Sequence, residues 1–206
     1  EVGIGLLPAG GGLKEIALRS AREAKGNDIL QFLKTRFTHA ATAAVSKSAP
    51  EAKKIGYLSR GDVIVLHPYE LLHVAKTQAL ALADAGYRPP LPSLIPVAGR
   101  YGIATIRAQL VNMRDGGFIS AHDELIASKI ADVVCGGDIE PNSLVSEQWL
   151  LDRERKAFIE LLGHPKTREA MRAGLAMRFE TLSYAWDPSN PLNGEVPTIK
   201  DLSAYK

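Results

Sequence analysis

The chain is short of several things, and each shortage excludes a class of protein. It has one cysteine, Cys135, in 206 residues. An internal disulfide is impossible, and a lone thiol fits a reducing compartment, so a cytoplasmic location is expected. No apolar run approaches the roughly 18 residues that a membrane span needs. No signal peptide is visible, because an acid begins the sequence and glycines interrupt the first apolar stretch. Charge of one sign is not in excess: 25 basic side chains face 23 acidic ones, and the net charge is +2. Aromatics make up only 6% of residues. Neither the charge nor the aromatic content supports a nucleic-acid partner. What remains is an apolar fraction of 46% and a mean hydropathy near zero, the composition of a globular domain.

The pattern along the chain is mostly helical. Asp28 is placed to cap a helix whose Ile29, Leu30, Leu33, Phe37, Ala40, Ala41 and Ala44 share a face. Ser48 and Glu51 form a capping box around Pro50, and Gly56 can end that short helix in a left-handed conformation. Residues 63–67, VIVLH, are the best strand in the sequence. A lone strand cannot satisfy its own backbone groups, so it needs a partner from elsewhere. A helix over YELLHVAKTQALALADAG follows, and then a proline-rich connector that should lie extended on the surface.

Further on, Ile103, Ile106, Leu110 and Met113 mark a helix closed by Gly116 and Gly117. Ser120 with Asp123 is a second capping box, opening a helix with the stripe Leu125, Ile126, Lys129, Ile130, Val133 and Val134. The next helix, from about Ser146 to Leu162, is dense in charge but carries Leu150, Ala157 and Leu161 on one side. A last helix is predicted from about Lys166 to Phe179, and the tail after it has no period.

Several chemical motifs fail when weighed. G-I-G-L-L-P, residues 3–8, imitates a dinucleotide fingerprint, but it lacks a preceding strand and carries Pro8 at the sixth position. It reads instead as a tight turn feeding a helix. The five histidines show no zinc-ligand spacing, and Cys135 has no partner cysteine, so no metal is expected. Cys135 ends an apolar face, where a buried, inert thiol is the usual outcome. His122 beside Asp123 and Glu124 could serve as an acid or base, or simply sit in the first turn of a capped helix. Arg153-Glu154-Arg155-Lys156 and Lys166-Thr167-Arg168-Glu169 read as solvated helix faces. Arg172 and Arg178 sit at the end of the last helix, where they could meet a phosphate.

The opening EVGIGLLPAGGG and the later APEAKKIGYL resemble the enoyl-CoA hydratase/isomerase, or crotonase, superfamily. AQLVNMRDGGFISAHDELIASKIADVVCGGD and LVSEQWLLDRERKAFIELLGHPKTREAMRAGL resemble the C-terminal end of the hydratase part of fused 3-hydroxyacyl-CoA dehydrogenase/enoyl-CoA hydratases of fatty-acid β-oxidation. The resemblance implies an α/β fold, a crotonase-like ββα spiral. This chain would be its mainly helical C-terminal half, with one or a few short strands.

By the same resemblance, residues 1–87 would be the end of the spiral core and 88–100 the connector. Residues 101–182 would be a helical region covering coenzyme A and forming a subunit interface, and 183–206 an extended tail. The implied function is addition of water to 2-enoyl-CoA thioesters, a lyase reaction. Glu1 would be the carboxyl that protonates the α-carbon, with Gly3 and Gly5 turning the backbone behind it. Ile4, Pro8, Ala9 and Gly10 would face the substrate, and Arg172 and Arg178 the coenzyme A phosphates.

The resemblance supplies neither the oxyanion-hole N–H groups nor the first catalytic glutamate within this sequence, so the chain alone should be inactive. No cofactor is expected on it beyond the coenzyme A of the substrate, and NAD only if a dehydrogenase domain lies upstream. Its partners would be the acyl-CoA thioester and either further copies of itself or a missing N-terminal half. The alternative is a non-catalytic acyl-CoA-binding or oligomerisation fragment.

Overall fold

A computed structural model describes residues 1–174 of the chain. A 3-10 turn, Val2–Ile4, leads into α1, Gly12–Ala24, and α2, Ile29–Ala41. A short α3, Ala49–Lys54, is followed by a second 3-10 turn, Pro68–Glu70, and α4, Leu71–Asp84. Then come β1, Ile95–Pro96; α5, Gly99–Asp115; α6, Ala121–Val134; β2, Leu144–Val145; and α7, Glu147–Leu162. Residues 165–174 are helical again. Arg178, the end of the predicted last helix and the 183–206 tail lie outside the described residues.

The helix starts follow their capping residues, with one correction. Ser48 accepts the Glu51 N–H at 3.2 Å, but the Glu51 carboxylate takes the Lys47 N–H and not that of Ser48, so the expected box does not close. The Asp28 carboxylate accepts the Leu30 N–H at 3.0 Å. Ser120 and Asp123 cap each other reciprocally, at 3.1 and 2.9 Å. Ser146 accepts the Trp149 N–H at 3.1 Å. Each such cap is worth about 1 kcal/mol.

Helices α1, α2, α5, α6 and α7 enclose the main core, where Leu7, Leu13, Leu33, Ile106, Ile130 and Leu161 are buried. Fully burying one such side chain contributes about 1.5–3 kcal/mol. A smaller cluster joins Leu18 of α1 and Leu150 of α7 to Ile95, Val97 and Val145. There β1 and β2 pair antiparallel, Ile95 opposite Val145 and Pro96 opposite Leu144.

Two expectations change here. Residues 63–67 form no strand, and Val63 and Leu66 are exposed. The described residues offer that stretch no strand to pair with, and an unpaired strand leaves its backbone groups to water. The connector is extended and exposed only as far as Leu94. Ile95, Val97 and Ala98 turn inward, because the Val97 N–H donates to the Ser143 carbonyl at 3.1 Å and ties the chain to β2. No helix among the described residues is long and apolar enough to cross a membrane.

Candidate functional site

The glycine-rich opening sits on top of α1 and is held from below by α7. The Glu154 carboxylate accepts the Gly11 N–H at 2.7 Å and the Leu13 N–H at 3.0 Å. These donors belong to the free N–H groups at the start of α1, where a negative charge is stabilised. Glu154 is only 4% exposed. The reading of residues 153–156 as a solvated face is therefore corrected for its first two members. Glu154 caps another helix, and Arg153 is bonded to Asp132 at 2.9 Å.

The other side of the opening turn rests on a polar cluster. The Thr167 hydroxyl donates to the Gly5 carbonyl at 2.8 Å, and His122 Nε2 lies 3.2 Å from the Thr167 hydroxyl oxygen. A hydroxyl has one proton to give, and Gly5 takes it. His122 must then be the donor through Nε2–H, leaving Nδ1 as a buried lone pair without a partner. His122 consequently cannot act as a base toward Thr167, and this trio is a structural clasp.

The His122 ring stacks on His164 with centroids 4.6 Å apart. Burial pushes its pKa below the ordinary imidazole value, and the neighbouring His164 and Lys166 push the same way against Asp123. Gly5 is required at this point. Its φ is +85°, and a Cβ there would stand 2.9 Å from the Thr167 backbone.

The residues singled out from the sequence fall in different places. Glu1 is exposed, and its Oε2 accepts the Ala9 N–H at 3.3 Å. Ile4 is half-buried against the core, within reach of the 165–174 helix at Gly174. Pro8 lines a mainly apolar pocket of about 300 Å³ together with Gly12, Ile16, Arg19, Ala40 and Tyr57. Ala9 is half-buried beside it. Gly10 has nothing within 4 Å of an added Cβ, so its φ of +74°, not close packing, explains the glycine. Arg172 is exposed on the 165–174 helix. The structure thus brings Glu1 and Ala9 into contact next to Pro8 and leaves Arg172 on the surface.

Two side chains missed in the sequence carry the site, Glu154 and Thr167. Both sat in charged runs whose burial only the packing of α7 and the last helix reveals. Cys135 is buried, and burial pushes its thiol up to about 12, the inert thiol expected. No group of three or more His, Cys, Asp or Glu side chains among the described residues could hold a metal ion.

No family model matches the chain, and no solved structure matches it. A protein of Bacillus subtilis strain 168, named a probable 3-hydroxyacyl-CoA dehydrogenase, is 38% identical over 172 residues. That name corrects the hydratase reading: a dehydrogenase is an oxidoreductase, not a lyase that adds water. The match covers 84% of this chain and spans 22% of the relative's length, so the chain is similar along most of itself to a minor part of that dehydrogenase.

Proposed function

We propose that the chain is a helical part of an enzyme of the 3-hydroxyacyl-CoA dehydrogenase kind, working in fatty-acid metabolism on acyl-CoA thioesters. The observation that supports it is the 38% identity over 172 residues. Such an enzyme oxidises the 3-hydroxyl of a 3-hydroxyacyl-CoA to a ketone, and NAD supplies the acceptor for the hydride.

The described residues do not fit that cofactor. A dinucleotide pyrophosphate needs a free helix N-terminus after a parallel strand. Here the Glu154 carboxylate already occupies the start of α1, and the described strands are a two-residue antiparallel pair. NAD would be held by other parts of a longer polypeptide. The chain's own share is binding and assembly. In this reading the apolar pocket at Pro8 receives part of the substrate, with Ile4, Ala9 and Gly10 shaping the turn beside it. Glu1 holds that turn through Ala9, and Arg172 and Arg178 serve the coenzyme A phosphates.

The ββα-spiral continuation of the fold, a homo-oligomeric state and a cytoplasmic location belong to the same proposal. The exposed apolar α4 supports the homo-oligomeric state, and the single thiol supports the cytoplasmic location. The test is NADH formation from 3-hydroxybutyryl-CoA by the full polypeptide that contains this chain. Reduction of NAD is expected there and not with the 206-residue chain alone. A full polypeptide that leaves NAD oxidised overturns the reading. Turnover by the isolated chain overturns its restriction to binding.

A further inference from the structure

We propose that the cleft between α1, α2 and the end of α3 binds a small, multiply charged anion of the phosphate class. The cleft has a volume of about 690 Å³ and gathers six cations, Arg19, Arg22, Arg36, Lys53, Lys54 and Arg60, against two carboxylates. The carboxylates are already engaged. Glu15 binds Arg19 at 3.1 Å, and Glu23 binds Arg36 at 2.6 Å. Arg22, Lys53, Lys54 and Arg60 have no carboxylate within ion-pair distance among the described residues. In a chain whose whole net charge is +2, this is a concentration of charge and not background.

Concavity separates this cluster from an ordinary basic face. On a convex surface long cations spread into water, whereas a cleft with low-dielectric walls focuses their field on its contents. The walls are fixed without a ligand. Arg19 donates to the Gly56 and Tyr57 carbonyls at 3.2 and 3.0 Å, which clamps the end of α3 to α1. Lys53 is drawn toward Arg60 by a 3.1 Å bond to its carbonyl. Arg36 lies in the lining with a buried Nε–H that has no partner. The volume falls in the range that small-molecule ligands occupy.

A second basic cluster shows the contrast. Around Arg107, Lys129, Arg153 and Lys156, the carboxylates of Asp132 and Glu160 are present and bonded to Arg153 and Lys129. Half of that cluster's cations are therefore neutralised, and its cavity is smaller, about 250 Å³.

The site stands whether or not the dehydrogenase reading holds. Titration calorimetry of the 206-residue chain with pyrophosphate at low ionic strength tests it. Saturable binding at one site is expected, weakened about tenfold or more by Arg22→Gln with Arg60→Gln. Both side chains are exposed, so the fold should be kept, and circular dichroism checks it. Lys156→Gln in the second cluster should leave binding unchanged. Absence of saturable heat at millimolar pyrophosphate overturns the proposal, as does equal loss from the Lys156→Gln control. Tighter binding of a hexaglutamate peptide than of pyrophosphate would assign the cleft to an acidic protein segment and also overturn it.

Discussion

Glu154 stands in a run of charges that reads as solvent-facing, yet both its oxygens hold the start of a helix 141 and 143 residues earlier in the chain. Removing it leaves two backbone donors of α1 without their partner. Glu154→Ala should therefore cost about 2–3 kcal/mol, read from urea unfolding. A change under about 0.5 kcal/mol, the scale of an ordinary surface substitution, would show that α7 does not anchor the opening turn. His122 gives a pH prediction. Its pKa is lowered from 6.5 by burial and by His164 and Lys166, so the unfolded chain takes up the proton first as pH falls. The contribution to stability is full above the ordinary imidazole range and is lost as pH drops below it through the folded pKa. His122→Gln should flatten that acid-side loss in a series of urea midpoints, since glutamine can still donate to Thr167 without titrating. An unchanged slope would mean His122 is not the group responsible.

At the scale of elements, the helices were legible because the physics that starts and stops them is local. Ser120 and Asp123 stand three residues apart, and they cap each other. Gly56 and Gly136 end their segments at φ of +86° and +81°, where most side chains would be strained. Helix pairing is another matter. A Cβ on Gly102 of α5 would stand 2.6 Å from the Ala98 side chain and 2.9 Å from the Cys135 sulfur at the end of α6. Alanine is the better helix former by about 1 kcal/mol. Even so, Gly102→Ala should lower stability by about 1–3 kcal/mol, because the site is overpacked. A stabilised variant in thermal unfolding would show that α5 and α6 can separate. The predicted strand at 63–67 failed for the complementary reason. Its β-branched residues favour extension, but pairing depends on a neighbour that local pattern does not reveal. The pairing actually found, Ile95 with Val145, joins residues fifty apart in a stretch where Pro96 argues against a central strand.

At the scale of the molecule, the helices around the core stand against a segment that joins none of it. Leu71, Leu72, Leu80 and Leu82 of α4 are exposed, Leu72 to 83%, and no residue of α4 is buried. Leu33 on α2 has no exposed surface at all. Replacing Leu71, Leu72 and Leu82 together by glutamine should therefore move the urea midpoint of the chain little. Each site should contribute within about 0.5 kcal/mol. Leu33→Ala should cost about 2–5 kcal/mol. A large loss from the α4 variant would mean that the helix packs onto the body. An isolated helix of 14 residues is marginal in water, so an apolar one with no cover is unfinished by itself.

The candidate site was legible in part for the same reasons. Pro8, Ala9 and the glycines around them stand out locally, because turn residues before a helix leave a sequence signature. Glu154 and Thr167 did not, because a charged or hydroxyl side chain looks the same in sequence whether it meets water or the N–H groups of a distant turn. The sequence by itself determined the helices, the caps at Asp28 and at Ser120 with Asp123, the inert Cys135 and the absence of a long apolar run, all properties of neighbouring residues. Only the tertiary structure decided that 63–67 stays unpaired, that Glu154 closes the α1 N-terminus, that His122 donates and does not accept, and that six cations share one cleft. Those outcomes depend on which segments meet, and that is settled by packing across the whole chain.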